Sequence, residues 1–216
     1  MENLKDHIAE LREDFTKGTL NETEVNKDPF EQFKFWLQQA VDARVVEVQA
    51  MNLATVSSDF KPSSRTVYLR EFDNNRFTFY TNYNSKKAEQ LNKNPYCAVT
   101  FFWPELERQI RIEGSAERLN SEQSDAYFNA RPYESKIGAW ASNQSHALHS
   151  REELEEKVEK YKTMYSPDTI KRPEFWGGFA VKAIYYEFWQ GRKSRLHDRV
   201  TYTADHENWI ISRVAP

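Results

Sequence analysis

The segment Arg65–Asn82, RTVYLREFDNNRFTFYTN, decides the fold class of this chain. It contains two runs rich in β-branched and aromatic residues, 65–72 and 76–82, which predict two strands. The three residues Asp73–Asn75 separate these runs. They favour a tight turn, because Asn and Asp tolerate a left-handed backbone and bond to their own chain. The segment therefore predicts an antiparallel hairpin.

Short β-rich runs continue on both sides of the hairpin. They cover 50–57, 96–103, 107–118, 178–189, 199–204 and 208–213. Apolar residues at helical spacing, together with capping residues, predict helices over 3–15, 29–41 and 84–93, near 121–130, and from Ser150 onward. Because the strands do not alternate regularly with helices, this order predicts an α+β, mainly β fold. We expect a small barrel with peripheral helices rather than βαβ units.

Composition excludes several functional classes. The chain has only 6 glycines in 216 residues, and neither G-x-G-x-x-G nor G-x-x-x-x-G-K-[ST] occurs. Side chains would therefore have to hold any phosphate group. The net charge of −3 offers nucleic acid no global attraction. The length predicts one domain over 1–216, with an N-terminal helix and mobile arm in 1–27. A charged N-terminus and the lack of a long apolar run predict a cytoplasmic protein.

The cysteine and histidine content argues against thiol chemistry and metal binding. Cys97, the one cysteine, lies in an apolar run, which favours a buried small hydrophobe over a reactive thiol. His146 and His149 could face one metal ion, but no nearby cysteine or carboxylate completes a ligand set. We therefore predict no metal site.

The segment 187–199 has the most unusual local composition, because it combines cations with a histidine and Trp189. A flat aromatic ring beside bidentate guanidinium groups suits a planar anionic ligand. A solvated basic hairpin is the structural alternative, and the composition alone does not choose between them.

Two further segments could bind an anion. Arg65 and Arg70 lie in one predicted strand five residues apart, so we expect them to point to opposite faces. Solvent-facing arginines on a strand are the alternative. The segment 80–87 runs from a strand into the start of a helix and ends in Lys86 and Lys87. The helix dipole and the lysine charges act together there, which favours a phosphate site.

Motifs spread over most of the chain resemble the pyridoxamine (pyridoxine) 5′-phosphate oxidase family of flavin enzymes. In chain order they are Tyr80-Thr81-Asn82, Arg108-Gln109-Ile110-Arg111-Ile112-Glu113-Gly114, Ser124-Asp125-Ala126-Tyr127-Phe128, Arg131-Pro132, Gly138-Ala139-Trp140-Ala141-Ser142, Gln144-Ser145, Phe175-Trp176-Gly177-Gly178-Phe179, Glu187-Phe188-Trp189-Gln190-Gly191, Arg195-Leu196-His197-Asp198-Arg199 and Arg213-Val214-Ala215-Pro216. Together these motifs are specific, although each alone is weak.

The resemblance implies a homodimeric split β-barrel with FMN sites shared between the subunits. The residues it implies for FMN are Arg65, Thr66, Val67, Tyr68, Leu69, Arg70, Tyr80, Thr81, Lys86, Lys87, Gln109, Gln144, Ser145, Trp189 and Arg199. Those it implies for the substrate are Arg12, Arg70, Tyr127, Arg131, Ser135, Arg195, Leu196 and His197. Arg195 and His197 would be the catalytic residues.

The resemblance also implies a reaction within vitamin B6 metabolism. Pyridoxamine 5′-phosphate and pyridoxine 5′-phosphate would be oxidised to pyridoxal 5′-phosphate by O₂, giving H₂O₂, and NH₃ from the amine. The chain departs from many relatives at Arg70, Lys86 and Phe15, where lysine, arginine and tyrosine are frequent. Another split-barrel FMN reductase and a non-catalytic carrier of FMN or pyridoxal phosphate remain alternatives. Two anion sites favour the oxidase, because a carrier needs only one.

Overall fold

The chain divides into two compact units in the computed structural model, which describes residues 6–8, 11 and 14–216. The first, here called the terminal unit, comprises the described residues up to Val48, together with Thr100–Ile112 and Tyr185–Pro216. The second, the central unit, comprises Gln49–Val99 and Glu113–Ile184. Within the described ranges, no helix is long and apolar enough to cross a membrane.

The secondary structure is mainly β, which confirms the predicted fold class. The strands are β1 (Ala50–Val56), β2 (Pro62–Tyr68), β3 (Glu71–Asp73), β4 (Arg76–Asn82), β5 (Tyr96–Trp103), β6 (Arg108–Arg118), β7 (Trp176–Gln190), β8 (Asp198–Asp205) and β9 (Asn208–Arg213). The helices are α1 (Pro29–Asp42), α2 (Lys86–Lys93), α3 (Ser121–Ala130), α4 (Tyr133–Ala141) and α5 (Arg151–Met164). Hydrogen bonds link the strands in the order β2-β1-β5-β6-β7-β4-β3, and β8 pairs with β7 and β9.

The predicted hairpin is present, with one correction. β3 and β4 pair antiparallel around Asn74 and Asn75, whose φ angles of 44° and 60° suit a two-residue turn. The run 65–72 is two strands rather than one, because β2 ends at Tyr68 and β3 begins at Glu71. The prediction that Arg65 and Arg70 point to opposite faces is wrong. Both line the same cavity, since strand alternation does not continue through the break.

Most helices agree with their sequence signals. Asp28 caps α1, because its Oδ1 accepts a hydrogen bond of 2.8 Å from the Phe30 amide. Helix α4 was not predicted, since its buried residues Ile137, Ala139 and Ala141 form only a weak helical pattern. For the predicted helix over 3–15, residues 6–8 are helical, whereas 11, 14 and 15 are not. The remaining residues of that segment lie outside the described ranges.

A buried apolar cluster in the central unit is built around Trp176. Trp176 at the start of β7 packs with Phe128 and Ile137 from helices α3 and α4. Cys97 is buried in the same unit, and desolvation raises the pKa of its thiol to about 12. The expectation of a buried cysteine is therefore confirmed.

The terminal unit has an aromatic core of its own. The Trp36 ring meets Phe188 edge to face with centroids 5.2 Å apart, and the guanidinium of Arg108 lies 4.4 Å from the Trp36 centroid. Tyr202 donates a hydrogen bond of 2.7 Å to the Asn26 carbonyl. These contacts connect α1 and residue 26 to strands β7 and β8.

Candidate functional site

A basic cavity of about 850 Å³ opens in the central unit. Most of the residues that the family resemblance implies for cofactor and substrate line this cavity. These are Arg65, Thr66, Val67, Tyr68, Arg70, Tyr80, Thr81, Lys86, Lys87, Tyr127, Arg131, Ser135, Gln144 and Ser145. Ala130, Pro132 and Trp176 complete its lining.

Lys87 is a buried cation held only by neutral groups. Its Nζ donates hydrogen bonds to Gln144 Oε1 at 2.7 Å, Thr81 Oγ1 at 3.0 Å and Ser85 Oγ at 3.3 Å. Desolvation, with a smaller contribution from the Arg65 charge, lowers the pKa of Lys87 to about 8. No carboxylate pairs with Lys87 in the described part of the chain. A buried charge without a counterion is costly, so this position is suited to an anionic ligand.

Arg65 projects from β2 and is also held by neutral acceptors. Its Nη1 donates to the Leu53 carbonyl at 3.2 Å and to Thr55 Oγ1 at 2.6 Å. Thr55 donates in turn to Gln90 Oε1 on α2 at 2.6 Å, which fixes the hydroxyl orientation. Burial lowers the pKa of Arg65, but a guanidinium stays charged in proteins. Arg65 and Lys87 therefore place two positive charges on the cavity wall.

A second cationic position in the same cavity lies beside an aromatic wall. Tyr80 and Tyr127 stack with ring centroids 3.7 Å apart, and Trp176 continues the stack 5.6 Å from Tyr80. The Arg131 guanidinium lies 4.5 Å from the Trp176 centroid. Arg131 Nη1 is buried without a hydrogen-bond partner in the described structure. Buried donors are normally satisfied, so this orphaned nitrogen marks a place for a ligand acceptor.

Three further features belong to residues that line this cavity: a left-handed backbone, a phenol hydrogen bond and a cation–ring contact. Ser145 has a φ of 73°, a left-handed conformation that is uncommon for a residue with a side chain. Tyr80 donates a hydrogen bond of 2.8 Å to Glu71, and burial together with this carboxylate raises the pKa of its phenol. Arg70, which follows the end of β2, places its guanidinium 5.1 Å from the Tyr68 ring centroid.

The terminal unit holds the predicted catalytic pair. Arg195 and His197 line a cavity of about 800 Å³ with Phe15. The His197 ring lies 4.6 Å from that of Trp189 and 5.6 Å from that of Phe15. Ser194 and Arg195 have consecutive φ angles of 56° and 59°. Such strained backbone costs roughly 1–3 kcal/mol per residue and is typical of functional sites.

A closed ion network lies in the same unit. Glu187 is 2% exposed. Its carboxylate accepts hydrogen bonds from Arg199 Nε and Nη2, each at 2.9 Å, and from Arg111 Nη1 at 3.0 Å. Burial alone would raise the pKa of Glu187, but the Arg199 hydrogen bond and the Arg111 charge bring it below its ordinary value. Arg199 Nη1 also donates to the Ala215 carbonyl at 2.7 Å. Arg199, predicted to bind FMN, is thus engaged with the protein itself.

The remaining predicted residues lie apart from the basic cavity or outside the described ranges. Gln109 lies on β6 in the terminal unit, and Leu196 lies in the loop before β8. Leu69 is only 6% exposed, and Arg12 is outside the described residues. Sequence reasoning gave no role to Glu187, although it stands in a quoted motif, because nothing in the sequence shows which arginines a carboxylate will meet.

Comparison with known sequences gives matches that cover most of the chain. Residues 37–165 match the sequence model described as pyridoxamine 5′-phosphate oxidase. Residues 176–216 match the one described as the pyridoxine 5′-phosphate oxidase C-terminal dimerisation region. A pyridoxine/pyridoxamine 5′-phosphate oxidase of Gloeothece citriformis is 49% identical over 97% of this chain and 98% of its own length. One of Cytophaga hutchinsonii is 46% identical over 99% of this chain and 100% of its own.

Solved structures share the fold. PhzG from Burkholderia lata, in complex with tetrahydrophenazine-1-carboxylic acid, has a TM-score of 0.87 and 27% identity, covering 94% of this chain and all of PhzG. A pyridoxamine 5′-phosphate oxidase-related, FMN-binding protein from Nostoc punctiforme has a TM-score of 0.69 and 19% identity, covering 85% of this chain and 97% of its own. These neighbours confirm the split-barrel fold that the resemblance implied.

Proposed function

Because the chain belongs to the pyridoxamine 5′-phosphate oxidase family, we propose that it oxidises pyridoxamine 5′-phosphate and pyridoxine 5′-phosphate to pyridoxal 5′-phosphate with FMN as cofactor. One observation carries the proposal. A single cavity contains two cationic positions without carboxylate partners in the described chain, one at Lys87 and Arg65 and one at Arg131. The reaction brings together two phosphate groups, one from FMN and one from the substrate.

The residues present suit both phosphates. A phosphate monoester carries about −1.5 to −2 charges at pH 7, and each hydrogen bond from a cation contributes roughly 1.5–3 kcal/mol. Arg65, Lys86 and Lys87 would hold the FMN phosphate at the start of α2. Arg131, with Arg70, Tyr127 and Ser135, would hold the substrate phosphate. Bound FMN would supply the two-electron oxidation.

The proposed reaction is balanced with O₂ as the electron acceptor. The substrate's 4′ carbon loses a hydride and the attached nitrogen or oxygen loses a proton. Pyridoxine phosphate gives the aldehyde directly, whereas the imine from pyridoxamine phosphate is hydrolysed by water to the aldehyde and NH₃. O₂ takes up the two electrons and two protons as H₂O₂.

Arg195 and His197 are the residues of this chain proposed to act at the reacting ring. The Arg195 guanidinium is exposed on its strained turn and would stabilise negative charge on the substrate. The His197 ring lies against Trp189, and we propose that His197 orients the pyridine ring of the substrate. We also propose a homodimer that shares its FMN sites between subunits, supported by the match of residues 176–216 to the dimerisation region.

A direct assay tests this function. The purified protein is expected to bind FMN and turn yellow, and pyridoxamine 5′-phosphate in air should yield pyridoxal 5′-phosphate and H₂O₂. Arg195→Ala should lower kcat/KM at least tenfold, the loss of about 1.4 kcal/mol of transition-state stabilisation, while FMN stays bound. Lys193→Ala, which removes a neighbouring exposed cation, is the matched control and should leave the rate unchanged.

The alternatives give different results in the same assay. A protein that cannot take up FMN would overturn the whole proposal. Bound FMN without turnover would identify a carrier, and FMN reduction by a nicotinamide without substrate oxidation would identify a reductase. Normal turnover of Arg195→Ala would remove Arg195 from the catalytic role.

A further inference from the structure

His197 has a hydrogen-bond partner that fixes which ring nitrogen carries the proton. The backbone amide of Arg192 donates to His197 Nδ1 at 3.1 Å. A backbone N–H can only donate, so Nδ1 must be the unprotonated nitrogen. A neutral imidazole has one N–H, which is therefore on Nε2. We infer that His197 works as a neutral hydrogen-bond donor through Nε2 and does not accept the substrate's proton.

This arrangement is the reverse of that in a histidine base. In a Ser-His-Asp triad, Nδ1–H donates to a carboxylate, which leaves the Nε2 lone pair to take a proton. The adjacent carboxylate, Asp198, does not play that part here. Its Oδ2 accepts from the Leu20 amide at 3.0 Å and Arg192 Nη1 at 2.7 Å, and its Oδ1 accepts from Arg213 Nη1 at 2.8 Å.

The surroundings oppose protonation of the ring. A hydrogen on Nδ1 would face the Arg192 amide hydrogen, and the hydrogen bond would be lost. The rings of Phe15 and Trp189 cover the imidazole with apolar surface. Burial and the Arg195 charge lower the pKa of His197, against a raising effect of Asp198.

Two other charged groups of this region, Asp14 and Arg192, are already engaged, and the cations Lys193 and Arg195 would repel an imidazolium. Asp14 Oδ1 accepts from the Ser194 amide at 3.2 Å, and the Arg192 guanidinium is bonded to Asp198. Arg192 is itself a cation and would disfavour an imidazolium, and Asp14 is bonded to the Ser194 amide rather than to His197. Both the hydrogen bond from the Arg192 amide and the charges around His197 therefore favour a neutral imidazole.

The consequence for catalysis rests on the proposed oxidation. A donor at Nε2 selects a ligand that presents an oxygen or nitrogen lone pair at this position, and it stabilises negative charge that develops on that atom. The proton released from the substrate's nitrogen or oxygen then has to leave through solvent or another group. His197 thereby determines how the ring is oriented, and Arg195 supplies the positive charge.

Nitrogen-15 NMR of the purified protein tests the tautomer without any turnover. The chain has 5 histidines, and His197→Gln identifies the signals that belong to position 197. At pH 7 we expect an unprotonated, pyridine-like Nδ1 and a protonated Nε2. His206, whose side chain is 94% exposed and whose Nε2 lies 3.9 Å from Asp205 Oδ1, is the internal reference for a solvent-exposed ring. A protonated Nδ1, in the neutral or the charged ring, would overturn the inference.

A matched pair of substitutions tests the catalytic consequence. His197→Gln keeps a donor near the position of Nε2, whereas His197→Glu has nearly the same shape but offers only acceptors at neutral pH. Among variants that bind FMN and melt at the wild-type temperature, Gln should retain about tenfold to a hundredfold more kcat/KM than Glu, the worth of one charge-assisted hydrogen bond. The opposite order would show a base and overturn the inference. If wild-type protein oxidises no substrate, the proposed function fails, while the NMR result still decides the tautomer.

Discussion

The cations of the basic cavity and the arginines around Glu187 and Asp198 have opposite electrostatic surroundings. In the central unit, Lys87 and Arg131 are buried beside neutral groups and aromatic rings, with no carboxylate partner in the described chain. In the terminal unit, Arg199 and Arg213 each pair with a carboxylate at 2.6–2.9 Å. Both regions are arginine-rich in sequence. Pairing, rather than composition, therefore shows which cations are available to a ligand.

The difference has opposite energetic consequences. An uncompensated buried cation destabilises the protein without ligand, and an anionic ligand removes that cost on binding. A compensated network contributes to the fold and offers few donors to a ligand. Substitutions in the two regions should therefore change the free energy of unfolding with opposite signs.

Removing the buried carboxylate should have the largest effect. Glu187→Gln removes the carboxylate that pairs with Arg199 and one that pairs with Arg111, so we expect the free energy of unfolding to fall by about 3 kcal/mol or more. Urea denaturation measures the change. Glu155→Gln is the control, because the Arg151–Glu155 pair is exposed and should contribute less than about 1 kcal/mol. Equal losses in the two variants would contradict a closed network.

Removing the buried Arg131 cation should have the opposite effect on the free energy of unfolding from removing Glu187. Arg131→Met takes away a buried, unsatisfied nitrogen, so the protein without ligands should be at least as stable as wild type. The KM for pyridoxamine 5′-phosphate should rise roughly tenfold to a hundredfold. Unphosphorylated pyridoxamine is the control substrate, and its KM should change little. A similar rise for both substrates would remove Arg131 from the phosphate site.

Titration of Lys87 should couple FMN binding to proton uptake. Its pKa is about 8 in the folded protein against an ordinary 10.5, so the unfolded chain binds more protons between these values. Stability without FMN should therefore rise with pH through this window. A phosphate beside Nζ favours the charged form, so FMN should bind with uptake of up to about one proton. Calorimetry in buffers of different ionisation enthalpy measures this uptake.

Lys87→Met is the matched variant for that measurement. It should abolish both the proton uptake and the rise in stability with pH. Uptake that persists in the variant would assign the titration to another group.

The sequence predicts local structure better than it predicts charge pairing. Asn74 and Asn75 determine the β3–β4 turn by their own conformational preferences, so that hairpin was predictable. The break after Tyr68 was not, because it depends on hydrogen bonds from the Leu69 amide to the Gln49 carbonyl and from the Arg70 amide to the Thr78 carbonyl. Such bonds join residues distant in sequence, and propensity does not report them.

The same limit applies to the site. The resemblance identified the residue types that line the basic cavity, and Arg65, Lys87 and Arg131 do lie in it. It did not show that Arg199 would be bonded to Glu187, or that Thr55 would hold Arg65. Both facts depend on which side chains the folded strands bring together.

A change in ionic strength should have the smallest of these effects. It should weaken FMN binding at the basic cavity more than it weakens the buried ion pairs of Glu187. Raising the salt from 0.1 M to 1 M shortens the Debye length from about 10 Å to about 3 Å. Lys86 and Arg70 are exposed at the cavity, so the Kd for FMN should weaken several-fold through screening of their charges. Glu187 is buried, and its ion pairs are screened much less. The loss of stability in Glu187→Gln should therefore be nearly the same at both salt concentrations, whereas equal salt sensitivity in the two regions would mean that burial does not distinguish them.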